Sequence, residues 1–226
     1  MTTTAPKPPF SFRFARLVSA IVHPIVLPLL TLFVLSYRAG SGTLAGVRLG
    51  ALARAASVVG IGAVVTAAPV ALLVGIQVLR GRWTDADVSV RQQRYLLYPF
   101  GIAWMLALAG LFIALGAPGV AIQATLALAL TNLINGFINL REKVSAHAAT
   151  AALCATLLWL AATPGQADLG AVWLAGSTSA AALLVGWSRV ALKRHTVPQV
   201  LIGWAVGVFA ALAVRSALLL APLAGG

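Results

Sequence analysis

The sequence predicts an all-α integral membrane protein, a bundle of six to seven transmembrane helices. Three observations carry this. Of 226 residues, 61% are hydrophobic and the mean hydropathy is +0.98, more apolar surface than a soluble domain of this length can hide. Several apolar runs exceed the ~18 residues that mark a helical span. The alternating segments of about ten residues that build an outer-membrane barrel are missing.

Each element follows in order. Residues 1–14 read as an extended N-terminal segment, because MTTTAPKPPFSF carries three prolines that deny a stable helix. Residues 15–226 read as one membrane-embedded bundle. A first span at roughly 15–37 contains His23-Pro24 and Pro28, which predicts a kink in its first half. It is too long, and lacks the small-residue cleavage site, for a cleavable signal. A Gly-rich connection (38–50) leads to a second span at 52–79, then to the longest polar stretch, RGRWTDADVSVRQQR at 80–94. A third span covers 95–115, and Gly116-Ala117-Pro118-Gly119 turns the chain into a fourth that ends near 140. Arg141-Glu142-Lys143 breaks out of the membrane before a fifth span at 146–162. A sixth reaches Trp187, and a seventh runs from 198 to about 221. Cys154 lies alone in an apolar run, which excludes a disulfide framework or a thiolate metal site.

The net charge of +12 comes from 16 Lys and Arg against four acids. Here the cations sit between apolar runs, so the partners they suit are the bilayer and an anionic lipid phosphate, not nucleic acid. The polar stretches at 80–94, 141–147 and 188–199 follow spans two, four and six, so parity puts all three on one membrane face with the N-terminus. Lys7, Arg13, Arg16, Arg80, Arg82, Arg91, Arg94, Arg141, Lys143, Arg189, Lys193 and Arg194 lie on that face. Arg38, Arg48, Arg54 and Arg215 lie toward the other. The positive-inside rule then places this face in the cytoplasm, in a cell's inner membrane.

Chemistry concentrates in three segments. Ser188-Arg189 and His195 fall in a pattern SRxxxxxHxxxQ that ends at Gln199. Ser145 and His147 open the fifth span, His147 standing 41 residues before Ser188, one helical hairpin away. Ser145 suits a helix N-cap, which leaves backbone N–H groups free for an anion. Arg94 heads the third span, with Arg91 one turn before it. Asn132, Asn135 and Asn139 share one face of the fourth span, where hydrogen bonds between helices are their commoner use.

These segments resemble the signatures of the type 2 phosphatidic acid phosphatase superfamily. The third motif there reads SRxxxxxHxxxD, the second PSGH and the first KxxxxxxRP. The departures are Gln199 for Asp, Val144 and Ala146 for Pro and Gly, Tyr95 for Pro, and Asp87 for Lys, seven residues before Arg94. The resemblance implies a lipid phosphatase, acting on a polyprenyl diphosphate or phosphatidate through a phosphohistidine. Arg94, Arg189 and Ser145 would bind the phosphoryl group, with Arg91 or Lys143 assisting. His195 would be the nucleophile and His147 the proton donor and acceptor. Gln199 would hold the tautomer of His195 without a carboxylate's charge. No cofactor is implied, and no metal: Asp85, Asp87, Glu142 and Asp168 are few and scattered. The alternative is a non-catalytic lipid-phosphate-binding protein on the same scaffold. A small transporter fits less well, since its polar groups belong near mid-membrane.

Overall fold

The computed structural model describes residues 9–42, 48–162 and 168–220, and among these every regular element is helical. The chain runs α1 (Phe10–Ile21), α2 (Val26–Ser41), α3 (Leu49–Gly62), a π-helical turn (Ala63–Ala67), α4 (Ala68–Leu79), α5 (Arg94–Ala114), α6 (Gly119–Asn139), α7 (Ala146–Ala161), α8 (Leu169–Ala191) and α9 (Val197–Leu220). The rod from Leu49 to Leu79, α5, α6, α8 and α9 are each long and apolar enough to cross a membrane. The α1–α2 pair makes a sixth span if its halves count as one.

The expected kink is a break. His23-Pro24 interrupts the chain between α1 and α2, which meet at 47°; a proline lacks the N–H for the helical ladder and clashes with the preceding turn. Helix α1 begins inside the stretch 1–14 expected to be extended. It starts at Phe10, because the prolines stop at Pro9, and Pro9 serves as N-cap with its carbonyl accepting from the Phe12 amide at 3.1 Å. Residues 1–8, Lys7 among them, lie outside the described residues. The sixth span also outruns expectation. Helix α8 continues past Trp187 to Ala191, so Ser188 and Arg189 belong to its last turn.

Helix α7 is the hub. It has only 16 residues, about 24 Å at 1.5 Å per residue, but eleven of its side chains are buried. Leu153, Leu157 and Leu158 pack with Leu35 of α2, Ala127 of α6, Ala175 of α8 and Ala210 and Ala211 of α9. A helix buried on all sides needs no polar face. The closest approach is to α9. A Cβ added at Gly203 would stand 2.7 Å from the Ser145 carbonyl oxygen, and one at Gly207 would collide with that of Ala149. Only hydrogen at these two positions, one helical turn apart, lets α9 lie against α7, as small-xxx-small pairs do in membranes. Large apolar side chains such as Val64, Leu72, Phe137, Leu183 and Phe209 face outward, an exterior suited to hydrocarbon.

Candidate active site

Each motif is placed by a local device. Helix α8 ends in a Schellman turn: Lys193 takes the left-handed conformation (φ 54°), its amide reaching the Val190 carbonyl at 2.9 Å while that of Arg194 reaches Arg189 at 3.0 Å. The His195 amide also donates to the Arg189 carbonyl, at 3.2 Å. Helix α9 then opens with Pro198 in its first turn, where a missing N–H is harmless. So His195 is fixed between the end of one helix and the start of the next. Ser145 caps α7 as expected, its Oγ accepting from the Ala148 amide at 3.3 Å.

Direct bonds join the three segments at one end of the bundle. Arg94 donates through Nη1 to the Val144 carbonyl at 3.0 Å and through Nε to that of Val88 at 2.7 Å. Val88 is buried and itself sits at φ 46°, an uncommon conformation for a β-branched residue. The Ser145 amide donates to the Gln199 carbonyl at 3.3 Å, and Lys143 Nζ to that of Arg194 at 3.1 Å. Arg94, Ser145, His147, Arg189 and His195 are all buried.

Gln199 fixes the tautomer of His195. The Thr196 amide, which can only donate, points at Gln199 Oε1 at 3.2 Å, so that atom is the amide oxygen. The same oxygen lies 3.3 Å from His195 Nδ1. Nδ1 therefore carries the proton, and Nε2 keeps a lone pair. Burial, then Arg94, Arg189 and Lys143, push the His195 imidazole down to about 3, against the Gln199 hydrogen bond. Lys143 is lowered too, by burial first and then by Arg94, Arg189 and Arg194, with Asp85 opposing. Both groups sense a concentrated positive field.

Two of the four acids meet the third motif in space. Asp87 accepts from Arg189 Nη1 at 3.0 Å, and the same nitrogen donates to Ser19 Oγ at 2.7 Å. Asp85 lies 3.8 Å from Arg194, whose Nη1 also reaches Ser89 Oγ at 2.8 Å. The polar stretch before α5 thus folds over the third motif. It also brings Asp87 beside His23 and His147, three ligand-type atoms lying within 4.8 Å of one another. The expectation that the acids are too few and scattered to hold a metal counted carboxylates along the chain, whereas the fold sets two imidazoles beside one of them.

A cavity of about 170 Å³ opens from this cluster between α2, the π-turn, α4, α5, α6 and α7. Its polar end holds His23, Asp87, Arg94 and His147, and its walls include Leu29, Val70, Leu97, Met105 and Leu128. Arg189 and His195 do not line it; Arg189 reaches it through Asp87. A second cavity, about 530 Å³, has Arg16, Lys193 and Arg194 on its walls and shares only His23 and Asp87 with the first. Those two side chains stand between an apolar cleft and a cationic basin.

Arg91, expected beside Arg94, turns to the end of α6. Its Nη1 donates to the carbonyls of Leu140 at 2.8 Å and Asn139 at 3.4 Å, closing the C-terminal end of α6. Asn139 Nδ2 returns a bond to the Arg91 carbonyl at 3.1 Å, while Asn132 bonds within α6 and lines the cleft. His23, at the break between α1 and α2, reaches the same end of the cleft. Its ring meets that of His147 edge-on, centroids 5.6 Å apart.

Residues 130–220 match the PAP2 superfamily. The match takes in Ser145, His147, Arg189, His195 and Gln199 and leaves out Arg91, Arg94 and the polar stretch before them. No curated protein and no solved structure matches the chain.

Proposed function

We propose that the protein is a metal-independent membrane phosphatase that hydrolyses a phosphate monoester or diphosphate of a lipid through a phosphohistidine. The observation that carries this reading is the bonding of three distant segments at one end of the bundle: Arg94 to Val144, Ser145 to Gln199, and Lys143 to Arg194. Buried guanidinium groups there suit a phosphoryl group, whose oxygens accept forked donors and whose transition state spreads negative charge. His195 Nε2, neutral and unprotonated, attacks phosphorus as the lipid oxygen leaves. His147 gives that oxygen its proton, then takes one from the water that cleaves the phosphohistidine. Arg94, Arg189, Ser145 and Lys143 hold the phosphoryl oxygens, Arg189 exchanging Asp87 for substrate. The tail lies along the apolar walls of the cleft, and positive-inside bias puts the site at the cytoplasmic face of the inner membrane.

Gln199 favours a second reading. An amide orients His195 but does not stabilise imidazolium as a carboxylate would, which suits a lipid-phosphate-binding protein without turnover. Phosphate release from a panel of lipid phosphates, by purified protein in detergent with a chelator present, separates the two. Release that is lost in His195→Ala establishes the phosphatase; release that survives it refutes the nucleophile. No release from wild type, with gain in Gln199→Asp, establishes the binding reading.

A further inference from the structure

His23, Asp87 and His147 come from three different segments: the break between α1 and α2, the polar stretch before α5, and the first turn of α7. One ligand-type atom from each lies within 4.8 Å of the other two. His147 Nε2 is buried with no hydrogen-bond partner, in a residue 6% exposed that lines the cleft. An orphaned imidazole nitrogen inside a protein calls for a partner. The Asp87 carboxylate gives one oxygen, Oδ2, to Arg189, which leaves the other for a second contact. His23 keeps a lone pair on Nδ1, engaged by the Ile25 amide at 3.2 Å across two residues, a contact a stronger acceptor of that lone pair can displace.

We propose that these three side chains form a binding site for a zinc-type transition metal, and that its occupation inhibits the hydrolysis proposed above. Two imidazoles and one carboxylate are a zinc ligand set with a fourth position open, here toward the cleft. Bonds of about 2.0–2.1 Å would draw the three atoms to roughly 3.4 Å apart in a tetrahedral site, an adjustment side-chain rotation can make. Arg94 and Arg189 stand close by, so affinity resting on charge alone fails here. Hard cations such as Mg2+, which need several oxygen ligands, are excluded on both counts. Nitrogen ligation favours zinc, copper or cobalt instead. Metal on His147 takes the lone pair that proton transfer requires, which is the reason for inhibition. That consequence rests on the proposed role of His147; the metal binding does not.

The test is a Co2+ titration of purified, untagged protein in detergent, followed by visible d–d absorption and competed with Zn2+, with lipid-phosphate hydrolysis measured in parallel. Wild type is expected to bind one equivalent of Co2+ that Zn2+ displaces and Mg2+ does not, and Zn2+ is expected to suppress hydrolysis. His23→Ala and His23→Gln should each weaken Co2+ binding by more than the roughly 10–100-fold that loss of a mere outer-shell partner causes. Whatever hydrolysis each variant retains without metal should be resistant to Zn2+. Absence of a Co2+ band in wild type, or wild-type Co2+ affinity in both variants, overturns the site. Wild type that binds Co2+ yet hydrolyses no lipid phosphate leaves the metal site standing and removes the phosphatase reading.

Discussion

Asp87 holds the guanidinium of Arg189 at 3.0 Å from the chain position where the resembling first motif carries lysine. This chain places an anion there, and that anion pairs internally. Arg189 is almost wholly enclosed, its side chain 1% exposed against 32% for Asp87. A cation that deep needs a counter-charge, and the carboxylate or a phosphate can each supply it.

Asp87→Asn should therefore do two opposite things. Stability should fall by about 1–3 kcal/mol, less than for a fully buried pair because Asp87 is partly solvated. Inorganic phosphate should restore more of it than in wild type, since Arg189 then has no competing anion. Thermal unfolding in detergent, with and without phosphate, reads both effects. An equal phosphate shift in the two proteins would show that Arg189 is no phosphate ligand.

Arg189→Ala should abolish turnover, losing about 2–5 kcal/mol of interaction as for a partner removed from a buried charge pair. Arg54, exposed on α3, is the control, and Arg54→Ala should change little. Arg38 will not serve, although the sequence places it among solvated far-side charges. It donates to the Ala161 carbonyl and lies 3.8 Å from Asp168. Turnover rates of the two variants, normalised to folded protein, check the contrast.

Stability and activity should share an acid limit set by His195. Its folded value of about 3 lies below an ordinary histidine, so the unfolded chain binds the extra proton first. The contribution is complete above about pH 6.5 and is lost as pH falls through the folded value. The nucleophile thus stays neutral at physiological pH. Gln199→Asp adds a negative partner at Nδ1 and should raise the value, carrying the acid limb of kcat/KM upward. NMR titration of His195 in both proteins, beside the pH–rate profiles, measures it. An unmoved titration would mean that residue 199 does not reach the ring.

Helix ends were legible to within a few residues because hydropathy and turn residues set them locally. Pro24 and the Gly116–Gly119 turn act within one or two residues of themselves. Parity then placed the motifs on one end without any knowledge of packing. The Asp87–Arg189 pair was beyond such reasoning: it joins residues 102 apart through a loop whose path Val88 and Arg94 decide. His23 met His147 for the same reason, once the break after α1 had set its direction. The Gly203-x-x-x-Gly207 pair is legible in the sequence, since glycines one turn apart in a span are a packing signal.

That pair yields a prediction of its own. Gly207→Ala puts a methyl against the backbone of α7 at Ala149, where neither partner is a flexible side chain. Overpacking of this kind costs about 1–3 kcal/mol. Because Gln199 and the Ser145 amide lie at the same interface, activity should fall further than stability. Gly60→Ala, with open space around it on α3, is the control. Unfolding midpoints and turnover for the two variants give the comparison, and equal tolerance would deny the close contact.

The two histidines should divide the chemical steps. His195→Ala removes the nucleophile, so turnover and any acid-labile phosphoenzyme should vanish together, whatever the leaving group. His147→Ala leaves the nucleophile and its Gln199 contact in place and removes only the proton carrier. Its penalty should follow the basicity of the leaving oxygen: severe for a lipid alkoxide, slight for an aryl phosphate whose phenolate departs unaided. With such a substrate the phosphoenzyme should accumulate, because water must still be deprotonated for the second step and His147 is gone. Rapid-quench measurement of labelled phosphoenzyme in both variants, with alkyl and aryl substrates, resolves the steps. Accumulation in His195→Ala instead of His147→Ala would exchange the two roles. That result would put the nucleophile on the cleft wall, beside Arg94 and Asp87, and not at the junction of α8 and α9.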